Sequence, residues 1–401
     1  MTLGARLRAL RQQAGLSQRE LADGLVHKSM ISQIESGRTH PSHELLRHLA
    51  LRLGADPDHL LPVLQDDQER LARYKRAQAF FTLHHYAQAL PLLEDCLPVS
   101  NPAWNPYDLH LQIATCHHWL EQYLAALLHL DAALTIAIAE DRREDVLHLH
   151  IRIGETALEA QLWTVAHHRL EFAYRETVQH PERLSPPERL PQLCIALARA
   201  LAGLDRQEQA VQVWLEASQR ATALDVSQSV QLRLEAEIAA GLGKTYAQLG
   251  KFREAELQLE RAQSLYEKGW LKSQAVRMRL QRAVLLAESG RLHEALQWLE
   301  ECRDLAERER HPVLQAEVLH GQAEAWMQAG RLFRARECAE RAVHLLTEAR
   351  REGELVTAYQ LLSAIEKRLG HYRRASECLT RSQELFTKRM GWMKKSLRIL
   401  P

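Results

Sequence analysis

The chain has 401 residues, a formal net charge of +1 and an apolar fraction of 46%. That apolar fraction excludes general disorder, and the near-neutral charge excludes a protein that coats nucleic acid through bulk charge alone. No signal-peptide-like start and no stretch of eighteen uncharged apolar residues is present, and the six cysteines stand singly, so we expect a cytoplasmic protein without membrane contact.

The composition predicts an all-α fold, because Leu, Ala, Glu, Gln and Arg dominate while Gly and Pro are few. Five short helices are predicted in residues 1–62. The second begins at a capping box, Ser17 to Glu20, in which the hydroxyl and the carboxylate each satisfy a free backbone N–H. The first helix ends at Gly15, the third covers about 28–35, the fourth opens at Pro41-Ser42, and a fifth short turn follows Pro57.

The second and third helices are joined by a tight turn, which is typical of a helix-turn-helix DNA-binding domain. Ile31 and Ile34 give the third helix an apolar inner face. Its outer face is polar, as a helix that enters the major groove requires. The outer residues are Lys28, Ser29, Ser32 and Gln33.

Residues 16–54, LSQRELADGLVHKSMISQIESGRTHPSHELLRHLALRLG, resemble the xenobiotic-response-element (Cro/repressor-like) class of helix-turn-helix domains. The segments LSQxELA, ISxIESG and PS carry this resemblance. It implies binding to a double-stranded DNA operator. By that resemblance Lys28, Ser29, Ser32 and Gln33 face base edges, whereas Gln18, Arg38 and Thr39 hold the DNA backbone. The alternative for each residue is a solvated surface side chain.

The rest of the chain carries an internal repeat. A turn residue, an aromatic or long side chain two positions later and an alanine three positions after that recur eight times, with a period near 40 in the later copies. The turn residues are His84, Glu121, Gln161, Asp205, Gly250, Gly290, Gly330 and Gly370, and the alanines are Ala89, Ala126, Ala166, Ala210, Ala255, Ala295, Ala335 and Ala375.

This pattern resembles the tetratricopeptide repeat (TPR), in which small residues allow two helices to approach closely. We therefore predict a right-handed α-solenoid of about eight helix pairs over residues 71–382. Residues 63–70 are predicted as a linker, with a helix that runs into the first repeat as the alternative. Residues 383–401 are predicted as a C-terminal capping helix, with a dimer contact as its functional alternative. Two Pro-rich segments, 98–106 and 180–191, are predicted loops.

The short turn LADGLVHKS and the long repeats resemble the peptide-pheromone receptors of Gram-positive bacteria called RRNPP. The resemblance implies that a short peptide binds the concave side of the array, which the first helices of the repeats line. The residues predicted to face it are polar: Gln78, Gln112, Thr115, Trp119, Arg152, Glu155, Arg199, Lys244 and Gln248.

One feature of those receptors is missing here. They hold the peptide backbone mainly with asparagine, yet this chain has only Asn101 and Asn105, both in a predicted loop. Glutamine would have to replace them, at a higher entropic cost. The cationic groove residues would pair either with a ligand carboxylate or with nearby acids such as Glu159 and Glu237.

No phosphate-binding loop, nucleophile elbow or HExxH sequence is present, so we predict neither catalysis, nor a metal site, nor a cofactor. The predicted function is a homodimeric transcription regulator whose DNA binding responds to a signalling peptide, as in quorum sensing. The alternative is a DNA-tethered scaffold whose repeat groove recruits another protein.

Overall fold

The computed structural model describes residues 2–98, 104–186 and 188–396. Within these ranges the regular structure is helical throughout. The α-helices are α1 Leu3–Gln13, α2 Gln18–Ala22, α3 Lys28–Glu35, α4 His43–Arg52, α5 Pro57–Thr82, α6 Tyr86–Glu94, α7 Pro106–Trp119, α8 Tyr123–Ala139, α9 Arg143–Glu159, α10 Trp163–Gln179, α11 Arg189–Gly203, α12 Gln207–Thr222, α13 Gln228–Gln248, α14 Phe252–Lys268, α15 Lys272–Glu288, α16 Leu292–Arg308, α17 Pro312–Gln328, α18 Leu332–Glu348, α19 Glu352–Arg368 and α20 Tyr372–Ser396.

The chain divides into two compact units, one ending at Leu149 and the other beginning at His150. The first unit starts with the helix-turn-helix domain. Its core is a cluster of apolar side chains from α1 to the start of α5, and every one of them is at most 8% exposed. They are Leu3, Leu7, Leu21, Ala22, Ile31, Ile34, Leu46, Leu49, Ala50, Leu53 and Leu60.

Local signals set the helix boundaries in this domain as the sequence predicts. The Ser17 hydroxyl accepts from the Glu20 N–H at 3.2 Å, and the Glu20 carboxylate accepts from the Ser17 N–H at 2.7 Å. The observed α3 has the predicted bounds. The observed α2 ends at Ala22, because Gly24 turns the chain with a positive φ.

From α5 onward neighbouring helices pack in antiparallel pairs, α5 with α6 and α7 with α8 in the first unit, and α11 with α12 through α19 with α20 in the second. The third pair, α9 with α10, meets where Gly154 lies against the Leu170 side chain. The repeat phase read from the sequence is confirmed. All eight predicted turn residues have positive φ, between 58 and 86°, and each aromatic or long residue two positions later is the first residue of the second helix. Seven of the eight following alanines are fully buried, and Ala375 is 7% exposed.

Twelve positions before each of these alanines the first helix carries a small residue, which lets the two helices touch. In the third and fifth pairs it is Gly154 and Gly243, and a Cβ on Gly243 would lie 2.7 Å from the Leu259 side chain. In the other pairs it is Ala77, Ala114, Ala198, Ala283, Ala323 and Ser363.

The structure specifies two segments that connect or end the repeats. Residues 63–70, predicted as a linker or as a helix that runs into the first repeat, lie inside α5, which is continuous from Pro57 to Thr82. Residues 383–396 continue α20 instead of starting a separate capping helix, and residues 397–401 lie outside the described part.

The predicted loop at 180–191 contains a 3₁₀ turn, Pro181–Arg183, and the chain already enters α11 at Arg189. Of the loop at 98–106, residues 99–103 lie outside the described part.

Candidate DNA-binding surface and ligand-binding groove

The outer face of α3 presents the predicted base-reading side chains to solvent. Lys28, Ser29, Ser32 and Gln33 are all exposed. The opposite face is anchored by two isoleucines in the domain core, which are at most 2% exposed. A helix held in this way offers a fixed polar surface of the size that a DNA major groove accepts.

Two of these polar side chains make local hydrogen bonds. The His27 ring lies at the N-cap of α3, where Nδ1 accepts from the Ser29 N–H and lies 2.8 Å from the Ser29 hydroxyl. At the other end of α3, the Thr39 hydroxyl donates to Gln33 Oε1 at 3.4 Å, and the Gln33 carbonyl accepts from the Arg38 N–H. The sequence reasoning missed His27, although a polar residue before the first turn is the usual signal of a cap.

Gln18 has a partner that the sequence did not reveal. Its amide donates to Glu35 at 2.8 Å. The same carboxylate accepts two hydrogen bonds from Arg11, at 2.5 and 3.0 Å, and the two side chains of this pair are only 12% and 4% exposed. Gln18 thus helps to fix α3, and the predicted contact of Gln18 with a DNA phosphate, favoured by the dipole of α2, stays a prediction.

The Arg11–Glu35 pair lies in a desolvated environment. Burial by itself raises the pKa of Glu35, but the hydrogen bonds from Arg11 and Gln18 outweigh it, and the resulting pKa is lowered. The hydrogen bond to Glu35 in turn raises the pKa of Arg11. Both groups are therefore charged at neutral pH, and together they lock the C-terminal end of α3 onto α1.

Backbone contacts complete the support of α3. A Cβ on Gly4 would collide with the Ile34 carbonyl oxygen and lie 2.8 Å from that of Glu35, so only glycine allows α1 to approach so closely. Arg52 of α4 donates to the carbonyl oxygens of Leu21 and Asp23, and so satisfies acceptors at the end of α2.

In the first unit, the predicted peptide-contacting residues lie on α5 and α7. Gln78 and Gln112 exchange two amide hydrogen bonds, of 2.6 and 3.2 Å, so a ligand would have to displace one amide from the other. The Thr115 hydroxyl donates to the backbone of its own helix. Trp119 is 65% exposed and stacks on Tyr86 with an interplanar angle of 4°.

In the second unit, the predicted groove residues come from the first helices of successive pairs. Arg199 of α11 pairs with Glu159 of α9 at 3.2 Å, which is one of the pairings the sequence left open. Burial raises the pKa of Glu155, and the positive charges of Arg189, Arg152 and Arg199 oppose this. These interactions place Arg152, Glu155 and Arg199 in one electrostatic neighbourhood.

Lys244 of α13 also belongs to this surface. Desolvation lowers the pKa of its ammonium group, and the nearby Arg199 and Arg277 add to the effect, whereas Glu317 opposes it. These neighbours lie on α11, α15 and α17, so the first helices of four consecutive pairs contribute to one charged face. Gln248, one turn beyond Lys244, is exposed.

The described residues hold a histidine cluster in the first unit. The Nδ1 atoms of His110 and His129 lie 3.0 Å apart, at hydrogen-bond distance, and the His117 ring stacks on that of His129. Burial lowers the pKa of His129 to about 3. Across the described part of the chain no group of three His, Cys, Asp or Glu side chains has the geometry to hold a metal ion. None of the described helices is long and apolar enough to cross a membrane.

Comparison with family models assigns both kinds of domain. Residues 2–63 match a helix-turn-helix domain, and residues 236–268, which cover most of α13 and α14, match a tetratricopeptide repeat. No curated protein sequence matches the chain.

Among solved structures, the apo form of the quorum sensor NprR from B. thuringiensis is 13% identical, with a TM-score of 0.56, over 86% of this chain and 96% of that one. A Rap protein complexed with Competence and Sporulation Factor is 13% identical, with a TM-score of 0.54, over 97% of this chain and 99% of the other. Aspartyl phosphate phosphatase F from Bacillus subtilis is 12% identical, with a TM-score of 0.54, over 94% of this chain and 87% of that chain. The chain shares the all-helical repeat fold of these proteins.

Proposed function

We propose that this chain is a cytoplasmic, homodimeric, sequence-specific DNA-binding regulator whose repeat array binds a short signalling peptide that changes its affinity for an operator. The observation that carries the proposal is the joining, in one chain, of a matched helix-turn-helix domain with an exposed polar α3 and a helical repeat array, one repeat of which matches TPR, with charged side chains clustered on its first helices. The shared fold with a quorum sensor and with a Rap protein bound to a signalling factor supports the peptide half.

In the DNA half, Ser29, Ser32 and Gln33 would contact base edges. Lys28 would contact either a base or a phosphate. Gln18, Arg38 and Thr39 would position the phosphate backbone around α3. Two such domains in a dimer would read two half-sites, which multiplies the modest affinity of one domain.

In the peptide half, the residues of the second unit are the better candidates. Arg152, Glu155, Arg199, Lys244 and Gln248 lie on first helices of the repeats. Charged side chains whose pKa values are displaced by burial are typical of ligand sites. In the first unit, Gln78, Gln112 and Thr115 already make hydrogen bonds within the protein, whereas the exposed Trp119 face offers a stacking surface.

We further propose that the chain acts by binding and not by catalysis. Because one protein of the same fold is an aspartyl phosphate phosphatase, the fold alone does not decide this point. The two matched family models describe binding modules, and the sequence carries none of the catalytic motifs considered above.

The second candidate function is a DNA-tethered scaffold that recruits a protein through the repeats. It is favoured by the absence of asparagine from the first helices of the repeats and by the mutual satisfaction of Gln78 and Gln112. Calorimetry distinguishes the two candidates if it uses peptides from the C-terminus of any small secreted reading frame adjacent to the gene. Binding supports the regulator, whereas failure of every such peptide favours the scaffold.

The DNA half is tested with an operator selected from random duplexes by the full-length chain. The double variant Ser29→Ala/Gln33→Ala should lose the preference for that operator over scrambled DNA, since one good base contact contributes about 1–3 kcal/mol. Its salt-dependent binding to scrambled DNA should persist. The control Gln12→Ala/Gln13→Ala changes exposed residues of α1 and should keep the preference. An equal loss of both kinds of binding would show that Ser29 and Gln33 do not read bases.

A further inference from the structure

Helix α13 carries two charged side chains of opposite sign on the charged face of the second unit. Glu237 and Lys244 are seven residues apart, which is about two helical turns, or about 10.5 Å along the axis. Glu237 interacts electrostatically with Arg199 and Arg233. The main charged neighbours of Lys244 are Arg199, Arg277 and Glu317.

The neighbouring charges already have partners within the protein. Arg199 pairs with Glu159 at 3.2 Å, and Arg277 forms a two-pronged pair with Glu317 at 2.8 and 3.0 Å. Arg277 and Glu317 occupy, on the next two first helices, the position that Glu237 occupies on α13, because the three residues follow each other at intervals of 40. Because Arg277 pairs with Glu317, it does not serve as a counter-ion for Glu237.

Neither Glu237 nor Lys244 has an ion-pair partner within 4.0 Å among the described residues. Glu237 is half-buried and desolvation raises the pKa of its carboxyl group, whereas Lys244 is exposed beside the positive charges of Arg199 and Arg277. A half-buried carboxylate without a counter-ion costs stability, and an ammonium group next to two further cations favours the arrival of an anion. A bound ligand that supplies the counter-ions would recover that cost.

We propose that Lys244 binds an anionic group and Glu237 a cationic group of one extended peptide. The inference rests on the proposed peptide-binding function and adds the charge pattern of the ligand. A peptide in the extended polyproline II conformation advances about 3.1 Å per residue with three residues per turn, so side chains three positions apart lie on the same side, about 9.3 Å from each other, which is close to the span of about 10.5 Å. The ligand then carries one acidic and one basic group three positions apart, with the acidic group at Lys244.

Display selection of random heptapeptides against the full-length chain tests this pattern. The wild type should enrich peptides that combine an acidic with a basic residue at a separation of three. Lys244→Met should remove the acidic preference and keep the basic one, and Glu237→Gln should do the reverse. The matched controls Lys251→Met and Glu254→Gln replace exposed side chains of the same repeat and should leave both preferences intact.

The exchange Lys244→Glu/Glu237→Lys gives the sharpest readout, because it should enrich the same spacing with the two charges in reversed order. A selected peptide should lose about tenfold in affinity for Lys244→Met, as expected for one charged contact. Circular dichroism of each variant verifies that it is folded.

The outcomes separate this inference from the function on which it rests. Enriched peptides that show no paired charges, or charge preferences that survive in all variants, would overturn the charge pattern and leave peptide binding standing. A wild-type selection that enriches no peptide above bare resin would overturn the peptide-binding function, and the charge pattern with it.

Discussion

The helix-turn-helix domain and the charged face of the second unit treat charged side chains in opposite ways. In the helix-turn-helix domain, Arg11 and Glu35 are partly buried and form an ion pair with each other. On the repeat face, Glu237 and Lys244 are held close to charged neighbours without an ion pair among the described residues. Under the proposed function this difference has a reason: DNA presents a constant backbone, so a domain that reads it gains from being fixed in advance, whereas the charges on the repeat face would be neutralised only by a particular ligand.

The largest expected effect comes from removing the Arg11–Glu35 ion pair of the helix-turn-helix domain. Arg11→Met leaves the partly buried Glu35 carboxylate without its cation, which should cost up to about 3 kcal/mol of local stability. Native-state hydrogen exchange of the α1 and α3 amides in the full-length chain measures this cost. The exposed Arg6→Met on the same helix should change it by less than about 0.5 kcal/mol. Equal exchange in the two variants would show that the Arg11–Glu35 pair does not stabilise the contact between α1 and α3.

The next effect concerns how closely α1 approaches α3. Gly4→Ala brings a methyl group against the backbone carbonyls of Ile34 and Glu35, which cannot move without displacing the end of α3. We expect a loss of about 1–3 kcal/mol in the exchange of α3 amides, together with weaker operator binding. Normal operator binding by a folded Gly4→Ala variant would show that the position of α3 tolerates this change.

Glycines in the repeat array offer a matched pair. A Cβ on Gly241 would enter the Trp214 ring, which is 2% exposed and held by a hydrogen bond from Nε1 to Thr245. A Cβ on Gly243 meets the more adaptable Leu259 side chain, at a position where most other repeats have alanine. Gly241→Ala should therefore cost about 1–3 kcal/mol, and Gly243→Ala should cost less, by thermal and urea unfolding. The reverse order would contradict the packing described here.

The last effect, which is the smallest near neutral pH, is a loss of the folding stability of the first unit as the pH falls. The pKa of His129 is depressed to about 3 in the folded chain, against about 6.5 when unfolded. The unfolded state therefore binds the proton first, and the stability present above about pH 6.5 is lost as the pH falls towards 3, with a slope of at most about 1.4 kcal/mol per pH unit.

His129→Leu should flatten this slope between pH 6.5 and 4 in urea unfolding, whereas the exposed His48→Leu should leave it unchanged. Glu35 adds a second, more acidic window, because its lowered pKa gives stability that is lost only below the unfolded value of about 4.3. A slope that is identical in wild type and His129→Leu would assign the acid sensitivity to other groups.

The repeat array shows what the sequence could predict. The turn residue, the first residue of the second helix and the buried alanine recur because each position has a local requirement, either a positive φ or a close helix contact. Those requirements are visible in single residues, so eight helix pairs were predicted in the correct phase. The capping box at Ser17 was predictable for the same reason.

The site depends more on pairings that single residues do not reveal. Arg11 and Glu35 are 24 positions apart, and each would be an ordinary surface residue if it lay elsewhere on its helix. The reciprocal Gln78–Gln112 bonds join residues 34 positions apart, so the sequence predicts their polarity but not that they satisfy each other. The continuity of α5 through residues 63–70 follows from the absence of a helix stop, a weaker signal than the repeated motif.

The central claim is that a ligand on the repeats controls DNA binding, and the most direct test measures this coupling. Fluorescence anisotropy gives the Kd of the full-length chain for its selected operator, with and without a saturating peptide from the display selection. We predict that the peptide changes the Kd for the operator by at least about fivefold, in either direction, which is the lower range of allosteric coupling. An unchanged Kd with a peptide that demonstrably binds would contradict the account.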